Sequence, residues 1–192
     1  MSKLTIELRK ARPAEARFIA RNIMASIGRE VFTEPFSKDD FECLVALEEV
    51  CGMPDTLYSY RNTLVATVND IPVGSLTSYN GALYTQLRDR TFSILKARLG
   101  NIFPEGDDET REGEYYLDAM AVLPSFRGHG IAKLLIREAL DVAEGLGFAD
   151  VTLLCNVSKP GLLEYYKGLG FTEDGTLNCF GRSFVRMIQH LA

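Results

Sequence analysis

Residues 122–140, VLPSFRGHGIAKLLIREAL, confine the fold more than any other part of the chain. An apolar run over 115–122 leads into a short turn that holds Pro124, Arg127, Gly128 and Gly130. Beyond the turn, Ile131, Leu134, Leu135, Ala139, Val142 and Leu146 form an apolar stripe, with Lys133, Arg137, Asp141 and Glu144 on the other side. The helix ends near 145–147, and residues 151–155 are a second run suited to a buried strand. Strand, helix and strand of these lengths make a βαβ unit with its two strands parallel. Glycines there let the backbone approach a ligand closely, and the helix start points amides at the same spot, an arrangement that holds anions.

The remaining elements are short. Leu4, Ile6 and Leu8 alternate as in a strand, and Pro13 opens a helix running to about Met24 or Ile27 with Phe18 and Ile19 on its buried side. Ser37 caps a second helix over 38–51, stopped by Gly52. Residues 63–68 and 71–79 are β-rich runs joined by Asn69-Asp70, a hairpin signal. Leu83, Leu87, Ile94 and Leu95 repeat at helical spacing outside this pattern, and 101–113 follow as an acidic loop. Its charge favours a solvated loop over a cover for a substrate site. A helix over 160–169 and a strand over 184–188 complete the chain. The expected fold is α/β in class, an α+β three-layer arrangement with a mixed central sheet flanked by helices. One domain over 1–192 is expected, with 81–113 as a helical and acidic insertion.

Three phosphate-binding designs compete for the glycine turn. A P-loop needs Gly-x-x-x-x-Gly-Lys-Ser/Thr, which the chain lacks. A dinucleotide fingerprint fails because Lys133 stands where close helix–strand packing requires a small residue. The third fits: Arg127-Gly128-His129-Gly130-Ile131-Ala132 matches Arg/Gln-x-x-Gly-x-Gly/Ala. With Leu123-Pro124-Ser125-Phe126 ahead and Tyr166-Lys167-Gly168-Leu169-Gly170-Phe171 behind, the chain resembles the GCN5-related N-acetyltransferases, most specifically over 120–171.

That resemblance implies acetyl-CoA as cofactor and direct acetyl transfer to a primary amine, on a small molecule or on a protein or peptide. Amides from Gly128 to Ala132 would wrap the pyrophosphate, with Arg127 either pairing with it or bracing the turn, and His129 facing outward beside it. The backbone of Met120, Ala121 and Val122 would hold the pantetheine arm, with the opposite wall near Cys155 and Asn156. Lys159 stands where the family often has an asparagine, and would reach toward a coenzyme A phosphate instead. Tyr166, five residues before Phe171, would be the general acid, with Tyr165 as rival. Asp118 is the expected base, sharing side-chain parity with Met120 and Val122, and Glu114 is the second candidate, closer to solvent. Tyr58, Tyr60, Arg61 and Tyr79 are candidates to line an acceptor groove.

The net charge of -5 argues against nucleic acid and leans toward a cationic acceptor. No run is long enough to cross a membrane, and the N-terminus lacks a signal-peptide core, so a cytoplasmic protein is expected. The four cysteines form no Cys-x-x-Cys pair and the two histidines lie far apart, which speaks against a bound metal. A non-catalytic acyl-CoA sensor on the same scaffold is the alternative function, a nucleotide-binding regulator a weaker one, and a homodimer is compatible with either.

Overall fold

The computed structural model describes residues 4–29, 31–33, 35–100 and 107–192. The described residues contain seven strands, β1 (Glu7–Lys10), β2 (Thr63–Val68), β3 (Ile71–Asn80), β4 (Glu114–Val122), β5 (Asp150–Asn156), β6 (Thr172–Cys179) and β7 (Arg182–His190). They form one sheet in the order β1-β2-β3-β4-β5-β7-β6. β4 and β5 run parallel, as the βαβ reading requires, and the other neighbours are antiparallel. The helices are α1 (Ala16–Ser26), α2 (Lys38–Gly52), α3 (Tyr84–Leu99), α4 (Ile131–Gly145) and α5 (Pro160–Lys167).

Local chemistry accounts for most of these boundaries. The Ser37 hydroxyl accepts the Asp40 amide at 3.1 Å and starts α2. Asn69 and Asp70 adopt φ of 50° and 63°, the left-handed pair of a two-residue turn whose twist suits the β2–β3 hairpin. Along β2, Leu64, Ala66 and Val68 enter a cluster with Leu135, Ile136 and Ala139 of α4. Val65 points the other way, to Ile19, Met24 and Leu44 of α1 and α2. Burial of each large apolar side chain in these two layers contributes about 1.5–3 kcal/mol.

β6 was not expected. Its sequence, TEDGTLNC, lacks apolar alternation, and it is an exposed edge strand whose neighbour in the sheet is β7. β1 also begins later than the alternation suggests, at Glu7.

Two irregularities position the site. β4 and β5 pair only from Glu114↔Asp150 to Leu117↔Leu153, while β4 stays on β3 as far as Val122 and β5 stays on β7 as far as Asn156. The parallel strands therefore part beyond Leu117 and leave a wedge. The β3–β4 register steps from Thr77↔Ala119 to Ser78↔Leu117, so Asp118 is the extra residue of a β-bulge.

Candidate active site

α4 begins at the mouth of the wedge. Gly128 and Gly130 have φ of 79° and 77°, a region open to glycine at no steric cost, and Gly130 is the N-cap. No side chain caps this helix, so its first-turn amides face the adjoining cavity with the positive end of the helix dipole behind them. The Arg127 Nε donates to the Val122 carbonyl at 3.1 Å, which braces the turn against the end of β4. His129 is exposed, its Nδ1 3.0 Å from the Arg127 carbonyl, and it does not line the cavity.

Two large cavities lie in the region where the strands part. The first, about 440 Å³, is lined by Met120, Ala121, Val122, Arg127, Gly128, Gly130, Ile131, Ala132, Lys159 and Tyr166, joined by Ala25 and Ser26 of α1. The second, about 390 Å³, is lined by Asp118, Met120, Asn156, Lys159 and Tyr166 together with Tyr58, Glu109, Tyr116, Phe180, Arg182 and Phe184. Met120, Lys159 and Tyr166 belong to both, so the cavities share a wall.

Tyr166 lies on α5 with its ring 6.0 Å from Phe171 in an edge contact. Burial, then the neighbouring Cys155, pushes its hydroxyl above the ordinary tyrosine range, so it stays protonated. Tyr165 lines only the first cavity. Asn156 lines only the second, and its Oδ1 accepts the Ser158 amide at 2.9 Å.

The second cavity has an acidic floor. Asp118 accepts a hydrogen bond from the Tyr79 hydroxyl at 2.7 Å, and Glu109 accepts from the Tyr116 hydroxyl at 2.8 Å and from Tyr84 at 3.3 Å. Neither carboxylate has a basic partner among the described residues. Burial first, and then the charge of Glu109, holds Asp118 well above the usual carboxylate range, while the Tyr79 hydrogen bond pulls the other way. Burial likewise raises Glu109.

Three expectations need correction. Asp118 does not share a face with Met120 and Val122. The bulge turns it toward Tyr79, in the cluster with Tyr84 and Tyr116, whereas Val122 and Met120 pack on the α4 side. Glu114 is not near solvent: it is 3% exposed, bonded by Arg186 at 2.5 Å and by Thr110 and Thr152 at 3.1 Å. Its carboxyl is held below the usual range by Arg186 against the opposing effect of burial, so it is committed to the scaffold. The acidic loop is not simply solvated either, because residues 107–111 pack back on the fold; residues 101–106 lie outside the described residues. Of the proposed acceptor-groove residues, Tyr58 lines the cavity and Tyr79 backs Asp118, while Tyr60 and Arg61 stand apart.

Glu109, Tyr116, Phe180 and Arg182 line the second cavity without an obvious signal in the sequence. Gly81 holds the clearest clue to the loop's return. A Cβ there would sit 2.1 Å from the Arg111 carbonyl, so only glycine lets that backbone pass.

The acetyltransferase (GNAT) family matches residues 27–171, and the chain belongs to it. It is 27% identical to N-acetyltransferase 8F1 of Rattus norvegicus over 135 residues, covering 70% of this chain and 58% of that protein. N-acetyltransferase 8 of the same organism is 32% identical over 108 residues, covering 48% of this chain and 49% of the relative. The match thus spans less than two thirds of either relative. Among solved structures, an N-acetyltransferase from Staphylococcus aureus Mu50 superposes with a TM-score of 0.77 at 25% identity, covering 95% of this chain and 99% of that one. The NatC complex bound to Gag peptide and CoA shares the fold, with a TM-score of 0.56 at 18% identity and coverage of 98% and 100%.

Proposed function

We propose that the chain is an N-acetyltransferase that takes acetyl-CoA in the first cavity and a primary amine in the second. The observation that carries the reading is the shared wall: an uncapped helix start opens on one cavity, a half-buried acid on the other, and Met120 and Tyr166 border both. The residues present fit the cofactor. Two left-handed glycines and an uncapped α4 suit a pyrophosphate, Lys159 adds a cation, and the β4 edge beyond Leu117 suits an extended amide-bearing arm.

When bound, acetyl-CoA supplies an activated thioester carbonyl. The backbone of Met120–Val122 would align that carbonyl and stabilise the charge that develops on its oxygen. Asp118, ionised, would take the proton from the attacking amine as the new C–N bond forms. Tyr166, kept protonated by burial, would give its proton to the sulfur as the C–S bond breaks.

A thermal-shift series with acetyl-CoA, coenzyme A, ATP and NAD tests the donor. The coenzyme A compounds alone should raise the midpoint, since ligand at about a hundred times its Kd adds about 2.7 kcal/mol. Tyr166→Phe and Asp118→Asn should keep that shift and lose roughly tenfold or more in thiol release with an amine panel. Binding without any turnover in the wild type would instead favour a sensor on this scaffold.

A further inference from the structure

The β6–β7 turn is built at a conformational cost that the turn alone does not require. Phe180 and Gly181 have φ of 52° and 69°, the two left-handed positions of a tight hairpin. Asparagine or glycine fits the first of these readily, whereas a bulky aromatic is an outlier there. The Phe180 ring packs edge-on against Phe92 of α3 at 5.9 Å and lines the second cavity. Two residues on, Arg182 lines the same cavity. It donates one long hydrogen bond, 3.5 Å to the Ile27 carbonyl, and has no carboxylate partner among the described residues. Arg186, on the same strand, is tied to Glu114 at 2.5 Å.

The acidic and basic parts of this cavity are physically linked. Asp107, at the start of the returning loop, donates its amide to the Asn178 carbonyl at 3.0 Å. Its Oδ2 accepts the Asn178 amide at 2.9 Å, and its carbonyl accepts the Cys179 thiol at 3.3 Å. The loop carrying Glu109 is thereby fastened to the hairpin carrying Phe180 and Arg182.

Resting on the acetyl-transfer reading, we propose that the acceptor is a small amphoteric molecule: a primary amine held at Asp118 and Glu109, an apolar body against Phe180, and a carboxylate held by Arg182. A guanidinium free of acidic partners matches a carboxylate in geometry and charge, and an amine reaching this cavity in its ammonium form meets the two acids. Ile23 and Ile27 of the α1 end supply further apolar lining around that body.

The test compares initial rates on matched pairs, phenylalanine with phenylalaninamide and aminocaproate with its amide, using acetyl-CoA as donor. For at least one pair, the carboxylate form should have a KM about tenfold lower in the wild type, the discrimination expected of one charge-assisted contact. Arg182→Gln should shrink that gap to less than about twofold, while its thermal shift with coenzyme A shows that it is folded. Phe180→Asn, which relaxes the turn, should raise the KM for phenylalanine without lowering the melting midpoint. Equal use of both members of each pair by the wild type, or an Arg182→Gln effect that is equal on both, overturns the proposal. Turnover confined to amines such as spermidine also overturns it and leaves the acetyltransferase reading intact. Failure of coenzyme A to bind, with no amine consumed, removes that reading and this inference together.

Discussion

Asp118 is aimed at its tyrosine partner by an irregularity: as the extra residue of the β4 bulge, it escapes the alternation that would have turned it under α4. There it shares the cavity floor with Glu109, and both acids titrate above the usual range. A carboxylate raised in the folded state leaves stability intact below its unfolded pKa and removes it as pH rises through the folded value. Glu114 does the opposite, stabilising above its unfolded pKa and losing that contribution as pH falls. If Asp118 is the base, it must be ionised, so kcat/KM falls as pH drops through its raised pKa. Glu109→Gln removes one of the two causes of that rise. The acid limb of the profile should move to lower pH in this variant, and a limb that stays in place or moves upward would count against Asp118 as the base.

At the scale of elements, the start of α4 is the part most exposed to a single change. Alanine at position 130 would have open space around its Cβ but would have to hold φ near 77°, which costs about 1–2 kcal/mol for an L-residue. Gly130→Ala should therefore melt roughly 2–8 °C lower without ligand, at about 2–4 °C per kcal/mol in a chain of this size. It should also show a smaller coenzyme A shift than the wild type, because relaxation of the turn would re-aim the first amides of α4. An unchanged ligand shift would mean that these amides do not hold the pyrophosphate. α4 and its turn were legible in the sequence because every determinant is local: a helical apolar stripe, two glycines and a preceding buried strand. β6 was not, because an exposed edge strand is selected by backbone pairing, which leaves no periodicity in the side chains.

Over the whole molecule, the two cavities differ in how the chain assembles them. The first draws mainly on residues 120–132 and 159–166, nearly continuous stretches that fall within the family match of 27–171. Its lining could be anticipated from spacing and resemblance. The second gathers Ile23 and Ile27 from α1 and the turn behind it, Tyr58, the returning loop at Glu109, and Phe180 to Phe184, the last group lying beyond the family match. Those contacts exist only once tertiary pairing is complete. The charge of the loop spoke for solvent, while burial against Tyr84 and Tyr116 decided Glu109. The wall that both cavities share has a kinetic consequence. Because each cavity has its own lining apart from that wall, the proposed donor and acceptor would not have to vacate each other's seats before the acetyl group moved. Initial-rate plots at several fixed donor concentrations should then be intersecting lines. Parallel lines would point to an acetylated protein as intermediate, and to a division of labour between the cavities unlike the one drawn from their geometry.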